Sequence, residues 1–454
     1  MTVSKEISNN LMSQLPRSGV TGSKSSTSIE SQSEDHSLIN DIGHSFVISN
    51  RLLGHGSYGD VFLANDEKGK EVAVKCCPIN SDGIPNIMEA SIMASVIHPF
   101  LNRALRIQAS DTKLYIIQEK AETDLAQYTR RDKGNYKPNI EELKKWSYCL
   151  SQAVAALHKE NIIHADIKAS NVLLYDDGSV RLTDYTLSTK KWIPGKKFNH
   201  NVCTCTHRPL ECLTKRSWDE SLDIWSLGCT FYEIAYGELL FPYQGILEPV
   251  QGGKIIQERQ AKSEAKIRLR NRSINAIIDW ASRGPNSVNS VTSQEVIGTT
   301  QFALDYIPFI LCEDFKRPEM SLFNSLLCSM LNVDPSKRPT IYDVISHPFF
   351  EGLSSPVYLS LRRPLNNITG HEHARVTTYI QRYSDNTIVQ QHALDMYRRC
   401  NELYDINEHI RAAVCTWIAS KIILGTPPEI ALPKNQILAG ERDVCHNLGF
   451  RLHC

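Results

Sequence analysis

A chain of 454 residues is long for one core and points to two or three domains. Hydrophobic residues make up 41% and charged residues 22%, as in ordinary soluble proteins, and 50 basic side chains balance 50 acidic ones, so charge gives no reason to expect nucleic acid or an anionic membrane as main partner. No apolar run is long enough to span a bilayer, the N-terminus lacks the apolar core of a secretion signal, and 13 cysteines without disulfide-like spacing suit reduced thiols in an intracellular compartment, cytoplasmic or nuclear.

Residues 1–45 are rich in Ser, Asn, Thr and Gly and poor in large apolar side chains, which predicts a disordered tail. Order is expected to begin near Phe46. Residues 47–53, 61–64 and 72–76 read as short strands broken by turn residues, and 114–118 as a further strand. Apolar residues at helical spacing predict helices over 86–97, 141–158, 222–236 and 323–331. Residues 286–293 form a polar, loop-like patch, and 364–369 read as a linker into residues 370–454, which are mostly amphipathic helix. No internal repeat is evident.

The chemistry concentrates in His164-Ala165-Asp166-Ile167-Lys168-Ala169-Ser170-Asn171, followed by Thr183-Asp184-Tyr185-Thr186. A carboxylate, an ammonium and an amide fall within two turns of chain, and a second carboxylate follows 13 residues after the amide. That set suits phosphoryl transfer. One acid orients a hydroxyl nucleophile, the lysine neutralises charge on the moving group, and the amide and second acid hold magnesium. The run resembles the catalytic loop and metal-binding triplet of eukaryotic-type serine/threonine protein kinases. Gly54-His55-Gly56-Ser57-Tyr58-Gly59-Asp60-Val61 and Val72-Ala73-Val74-Lys75 precede it in the order which that family requires. A GxGxxG match alone is also what a tight hairpin turn gives. Here it lies between two strands, which argues against the dinucleotide motif that opens a helix.

The resemblance covers residues 46–350 and implies an α+β fold: a bilobal kinase with a small β-rich lobe and a larger helical lobe. It implies ATP and Mg2+ as cofactors and protein substrates as partners. Gly54, Gly56 and Gly59 would lie over the phosphates, with Leu53, Val61, Ala73 and Leu173 as apolar walls for adenine. Glu119 to Ala121 would be the hinge, with polar Gln118 as gatekeeper behind it. Lys75 would contact the α- and β-phosphates and be held by Glu89; without the motif series, such a pair would read as a solvated surface contact. Asp166 would be the catalytic base, Lys168 its serine/threonine-type companion, and Asn171 and Asp184 the magnesium ligands. His164 would be structural, Asp223 would cap the catalytic loop, and Glu211 and Arg338 would brace the lobe. Cys203, Cys205 and His207 alternate, so on a strand they would share a face that suits zinc, though no fourth ligand is evident.

Within the family the chain looks most like the cyclin-dependent kinases, through Gly56-Ser57-Tyr58-Gly59, Leu114-Tyr115-Ile116-Ile117 and Ile345-Ser346-His347-Pro348-Phe349-Phe350. Three arginines that clamp a phosphothreonine in that group are matched here by Met88, Ala165 and Thr189, and the threonine by Asn199. Clamp and phosphate are absent together, which predicts activity without activation-loop phosphorylation. Ser57 and Tyr58 match inhibitory phosphorylation positions, or are merely loop residues. Val202, Cys203 and Arg208 align with a pocket for proline after the target residue. Thr186 stands where the family has glycine, and threonine disfavours positive φ. With Ala165 it keeps a nucleotide-binding pseudokinase scaffold as the alternative.

Residues 370–454 resemble the first half of a cyclin box, on Ile410-Arg-Ala-Ala-Val-Cys-Thr-Trp-Ile-Ala-Ser-Lys-Ile-Ile423, Lys421 and Glu441. Residues 351–369 would be the linker. A plain helical bundle packed on the kinase is the other reading. The resemblance implies an activator within the chain, near Ile87, contacting its own kinase domain or, if the linker is too short, that of a second molecule.

Overall fold

The computed structural model describes residues 46–56, 58–78, 87–110, 112–130, 139–200, 202–241, 318–354, 359–360, 368–400 and 407–452. The expected tail, Ser57, the 286–293 patch and residues 361–367 of the linker lie outside them.

A five-stranded antiparallel sheet forms the first lobe. It contains β1 (Phe46–Gly56), β2 (Gly59–Asp66), β3 (Glu71–Pro78), β5 (Ala104–Ala109) and β6 (Lys113–Glu119), in the order β1-β2-β3-β6-β5. Alternation along β3 decides where its lysine goes. Val72 and Val74 enter a small core with Ile48, Ala64, Tyr115 and Ile117. Ala73, Lys75 and Cys77 therefore take the opposite face, where Cys77 joins the main core beside residues of α1 (Ile87–Ser95). The predicted helix over 86–97 stops at Ser95, because Val96 and Ile97 form β4 (Val96–Ile97) and pair with β12 (Leu359–Ser360). Two residues of the expected linker thus extend the first lobe.

The second lobe is helical. After β7 (Thr123–Asp124) and α2 (Leu125–Arg130), α3 (Ile140–Lys159) crosses its centre. Asn139 caps α3 by accepting from the Glu141 N–H, acids fill its first turn, and His158 and Lys159 close it. Its stripe of Leu143, Trp146, Leu150, Val154 and Leu157 is buried. The short strands β8 (Ile162–Ile163), β9 (Val172–Leu174), β10 (Val180–Leu182) and β11 (Thr189–Lys190) carry the chemistry-bearing loops. Beyond α4 (Leu210–Leu213), α5 (Ser221–Tyr236) ends at Gly237, whose φ of 67° closes the helix in the left-handed region. The lobe is completed by α6 (Ser321–Met330) and α7 (Ile341–Ile345).

Four further helices follow: α8 (Gly370–Gln381), α9 (Thr387–Arg399), α10 (Glu408–Leu424) and α11 (Lys434–Asn447). Helix α10 is packed by the other three, and Ala412 to Ser420 are buried all round it. Gly440 of α11 lies so close to Val414 that a Cβ would come within 2.8 Å of its methyl carbon. The group docks on its own kinase-like region. The Leu452 N–H donates to Ser91 Oγ of α1 at 2.9 Å, the Ala109 N–H donates to His446 Nε2 at 3.2 Å, and the His392 ring lies 4.5 Å from that of Trp192. The linker is therefore long enough for contact within one chain. No described helix is long and apolar enough to cross a membrane.

Candidate active site

Lys75 of the first lobe and Asp184 of the second approach to 3.6 Å across the cleft between the lobes, and the β1–β2 hairpin pairs with the strand that carries Lys75. Gly54 pairs with Val61, His55 with Asp60 and Gly56 with Gly59. Gly59 has a φ of 153°, and a Cβ there would lie 2.6 Å from the Cys76 carbonyl oxygen, so only glycine lets β2 approach β3 this closely. Ala73 is opposite Gln118, and Val72 opposite Glu119, so one sheet carries both the expected adenine wall and the hinge. Leu53 is exposed on β1, Val61 is half-buried on β2, and Leu173 is half-buried on β9. Ala121 follows the end of β6, half-buried. The Glu119 side chain is engaged by Arg181 at 2.7 Å. Tyr58 is exposed at the hairpin tip.

Lys75 Nζ donates to both oxygens of Glu89, at 2.8 and 2.7 Å, and Asp184 Oδ1 lies 3.6 Å away. Burial opposes the ammonium, but the charges of Glu89 and Asp184 outweigh it and raise the Lys75 pKa. Burial likewise pushes Glu89 upward, against the attraction of Lys75. The pair is closed and nearly dry.

Asp166 is held from three sides. Lys168 Nζ donates to its Oδ2 at 2.8 Å, and the Thr204 N–H and hydroxyl donate to its Oδ1 at 2.8 and 2.7 Å. The Asn171 side-chain amide donates to the Asp166 carbonyl at 2.9 Å and to its Oδ2 at 3.2 Å. Burial alone would raise this acid, but Lys168 and these hydrogen bonds hold it below the usual carboxylate range. Asn171 thus commits its NH2 group, which turns its Oδ1 elsewhere. Asp223 accepts the N–H groups of His164 and Ala165 at 2.8 and 2.9 Å, fixing the loop from α5. Ala165 itself has a φ of 63°. His164 Nε2 lies 3.1 Å from the Thr183 carbonyl, a structural contact. Arg338 forks onto Glu211 at 2.6 and 2.9 Å.

Asp184 reaches the same cleft because the Thr183 N–H donates to the Asn171 carbonyl at 2.9 Å. Lys75 and the Thr186 hydroxyl outweigh burial and keep Asp184 below the usual carboxylate range. Thr186 is not among the residues of positive φ, in keeping with a threonine there, whereas Asp184 two positions earlier has a φ of 64°. One carboxylate and one free amide oxygen are hard donors that fit magnesium, which completes its shell with water and phosphate oxygens rather than a protein cage.

Two contributors escaped the sequence reading. Thr204 is the second anchor of Asp166. Glu233, buried on α5, accepts from Arg130 Nη2 and, at 3.4 Å, from the Ala169 N–H. The thiol and imidazole alternation does not make a strand: Cys203 has a φ of 70°, and Cys205 to His207 form a short 3-10 turn. Cys203 Sγ contacts Ser226 Oγ, and among the described residues no group of three or more His, Cys, Asp or Glu could hold a metal.

A family model described as "Protein kinase domain" matches residues 47–350. A protein of Trypanosoma brucei brucei, described as "Cell division control protein 2 homolog 3", is 34% identical over 196 residues. That match covers 42% of this chain and 62% of the relative's length.

Proposed function

This chain belongs to the protein kinase family, and on that premise we propose that it transfers the γ-phosphoryl group of ATP to serine or threonine hydroxyls of proteins, with magnesium. The observation that carries the reading is the double anchoring of Asp166 by Lys168 and Thr204 beside a closed Lys75–Glu89 pair. An ionised acid held this way accepts a hydrogen bond from an incoming hydroxyl and orients its lone pair toward the phosphorus. Lys168, bonded to both Asp166 and Thr204, is placed to balance charge on the transferred group. Lys75 would bind the α- and β-phosphates, and the hairpin N–H groups would cover them. Asn171 Oδ1 and Asp184 would hold the magnesium, which supplies charge neutralisation between the phosphates. Incubation with radiolabelled ATP and generic protein substrates tests the reading: label on phosphoserine or phosphothreonine supports it, and none with wild-type protein that binds nucleotide favours the scaffold alternative.

A preference for proline after the target residue belongs to the same proposal. Arg208 donates through Nε, at 3.2 Å, and Nη2 to the carbonyl of Cys203, whose left-handed backbone turns that oxygen away. A substrate N–H arriving there finds the acceptor occupied. Proline has no N–H to leave unpaired. A peptide library without proline preference would reject this.

The C-terminal helices are proposed to act as a built-in, cyclin-like activator. Their contacts with α1, which carries Glu89, and with Trp192 of the activation segment support this. Tethering gives roughly millimolar effective concentration without a separate partner. The activation segment has its own anchors where a phosphate clamp would act. Phe198 and Trp218 exchange backbone bonds at 2.8 and 2.7 Å with their rings 4.9 Å apart, and Lys191 pairs with Glu220 at 2.7 Å. Asn199 beside them is exposed. Phosphatase treatment should leave activity intact, and a large loss would contradict this.

A further inference from the structure

Thr186 occupies a position between three charged groups. Its Oγ1 lies 2.5 Å from Asp184 Oδ1 and 3.3 Å from Glu89 Oε2, and Lys75 Nζ donates to it at 3.3 Å. A hydroxyl has one proton to give, and both carboxylates can only accept. The short contact takes that proton to Asp184, and a lone pair receives the Lys75 ammonium. The result is a closed circuit from ammonium to hydroxyl to carboxylate, laid over the direct 3.6 Å approach of Lys75 to Asp184.

We propose that Thr186 is a positioning residue, whose hydroxyl fixes the orientation of the Asp184 carboxylate toward a magnesium–nucleotide complex. The inference rests on the reading of Asp184 as the cation-holding acid. Two features make the hydroxyl more than a local turn bond. Asp184 sits in the left-handed region, which a side chain with a Cβ adopts at a cost and which a bond from two residues on helps to hold. A β-branched side chain has a stiff χ1, so Thr186 presents its hydroxyl in one direction. With Oδ1 shared by Thr186 and Lys75, Oδ2 is the oxygen of Asp184 without a protein partner among the described residues. Thr186 thereby sorts the two oxygens of Asp184, one for the protein and one for the ligand.

The test uses the full chain with Thr186→Val, which keeps shape and removes the hydroxyl, and Thr186→Ser, which keeps the hydroxyl. Titration calorimetry measures the affinity for ADP with magnesium and with EDTA. A second measurement, binding of Mn2+ to the ADP complex followed by electron paramagnetic resonance, reports on the metal directly. Thr186→Val should weaken magnesium-dependent ADP binding and Mn2+ binding about tenfold, equivalent to ~1.4 kcal/mol. Its affinity in EDTA should be unchanged, and Thr186→Ser should return metal binding to within about threefold of wild type. Equal metal binding by Thr186→Val and wild type would overturn the inference. So would an equal loss in both variants, or a loss that persists in EDTA. Should Thr186→Val fail to fold, Thr186→Ala takes its place: metal binding weaker than in Thr186→Ser supports the proposal, and metal binding equal to it refutes it. Failure of wild type to bind ADP at all would remove the kinase reading along with it, whereas normal wild-type binding beside an unaffected Val variant removes only the role of Thr186.

Discussion

Leu452→Ala tests whether the C-terminal helices support the Lys75–Glu89 pair. Leu452 is fully buried, and its N–H donates to Ser91 on the helix that carries Glu89. The substitution removes three carbons, worth ~2.4 kcal/mol at ~0.8 kcal/mol each. An unfilled cavity raises the cost toward ~5 kcal/mol. If that cost falls on docking, the undocked fraction grows about 50-fold at the lower figure, since ~1.4 kcal/mol is tenfold. Amide exchange through local opening should then accelerate by a similar factor at Ile92 and Met93 of α1, which are buried against the same core. Phosphotransfer should fall in parallel as Glu89 leaves Lys75 more often. Hydrogen exchange with mass spectrometry, beside a kinase assay and a thermal melt, reads all three. Faster exchange in residues 434–452 with unchanged exchange in α1 and unchanged activity would refute the argument.

Thr204→Val removes the hydroxyl bonds to Asp166 and Lys168 but keeps the backbone N–H to Asp166. Hydrogen bonds to charged groups are worth ~1.5–3 kcal/mol, so kcat should fall roughly 10- to 100-fold with little change in KM for ATP. Asp166 also loses a bond to its charged form, so the acidic limb of the pH–rate profile should move upward; a profile with an unmoved limb would contradict this. His392 is held neutral, down to about 3, first by burial and then by Lys190 and Arg399. Its unfolded value is ~6.5, so the unfolded chain takes up the proton first and this contribution to stability is intact above ~6.5 and lost progressively as pH falls toward the folded value. At pH 5 the loss is ~2 kcal/mol from this residue. Thermal melts at pH 7.5 and 5.0 should show a smaller difference for His392→Leu than for wild type, and identical differences would exclude His392 as a source.

The parts of the site that sequence makes legible are those joined by short chain segments. Asp166, Lys168 and Asn171 meet because one loop holds them, and the glycine hairpin and Lys75 are neighbours on adjacent strands. Lys75 and Glu89 needed the motif order, since nothing in their own spacing demands contact. Thr204 was not seen because its partner lies 38 residues away and its segment reads as a run of alternating Cys and Thr. A buried carboxylate with an unmatched lone pair was the available signal. Glu233 was hidden because an acid in the last turns of an otherwise apolar stretch looks like an exposed position. Docking of the C-terminal helices within the chain depended on contacts more than 300 residues apart, such as Leu452 with Ser91 and His446 with Ala109, which no periodicity encodes. That threonine at 186 avoids positive φ was legible from its side chain; that Asp184 is left-handed and takes a bond from the Thr186 hydroxyl was not.

The most direct measurement is phosphoryl transfer from radiolabelled ATP by the full chain, with Asp166→Asn, a change of one atom at the anchored acid, as comparison. Both proteins should bind ADP with magnesium equally well. Wild type should label serine or threonine, and the variant should be at least 100-fold slower. Equal label in the two, or nucleotide binding by wild type without any transfer, would contradict the account.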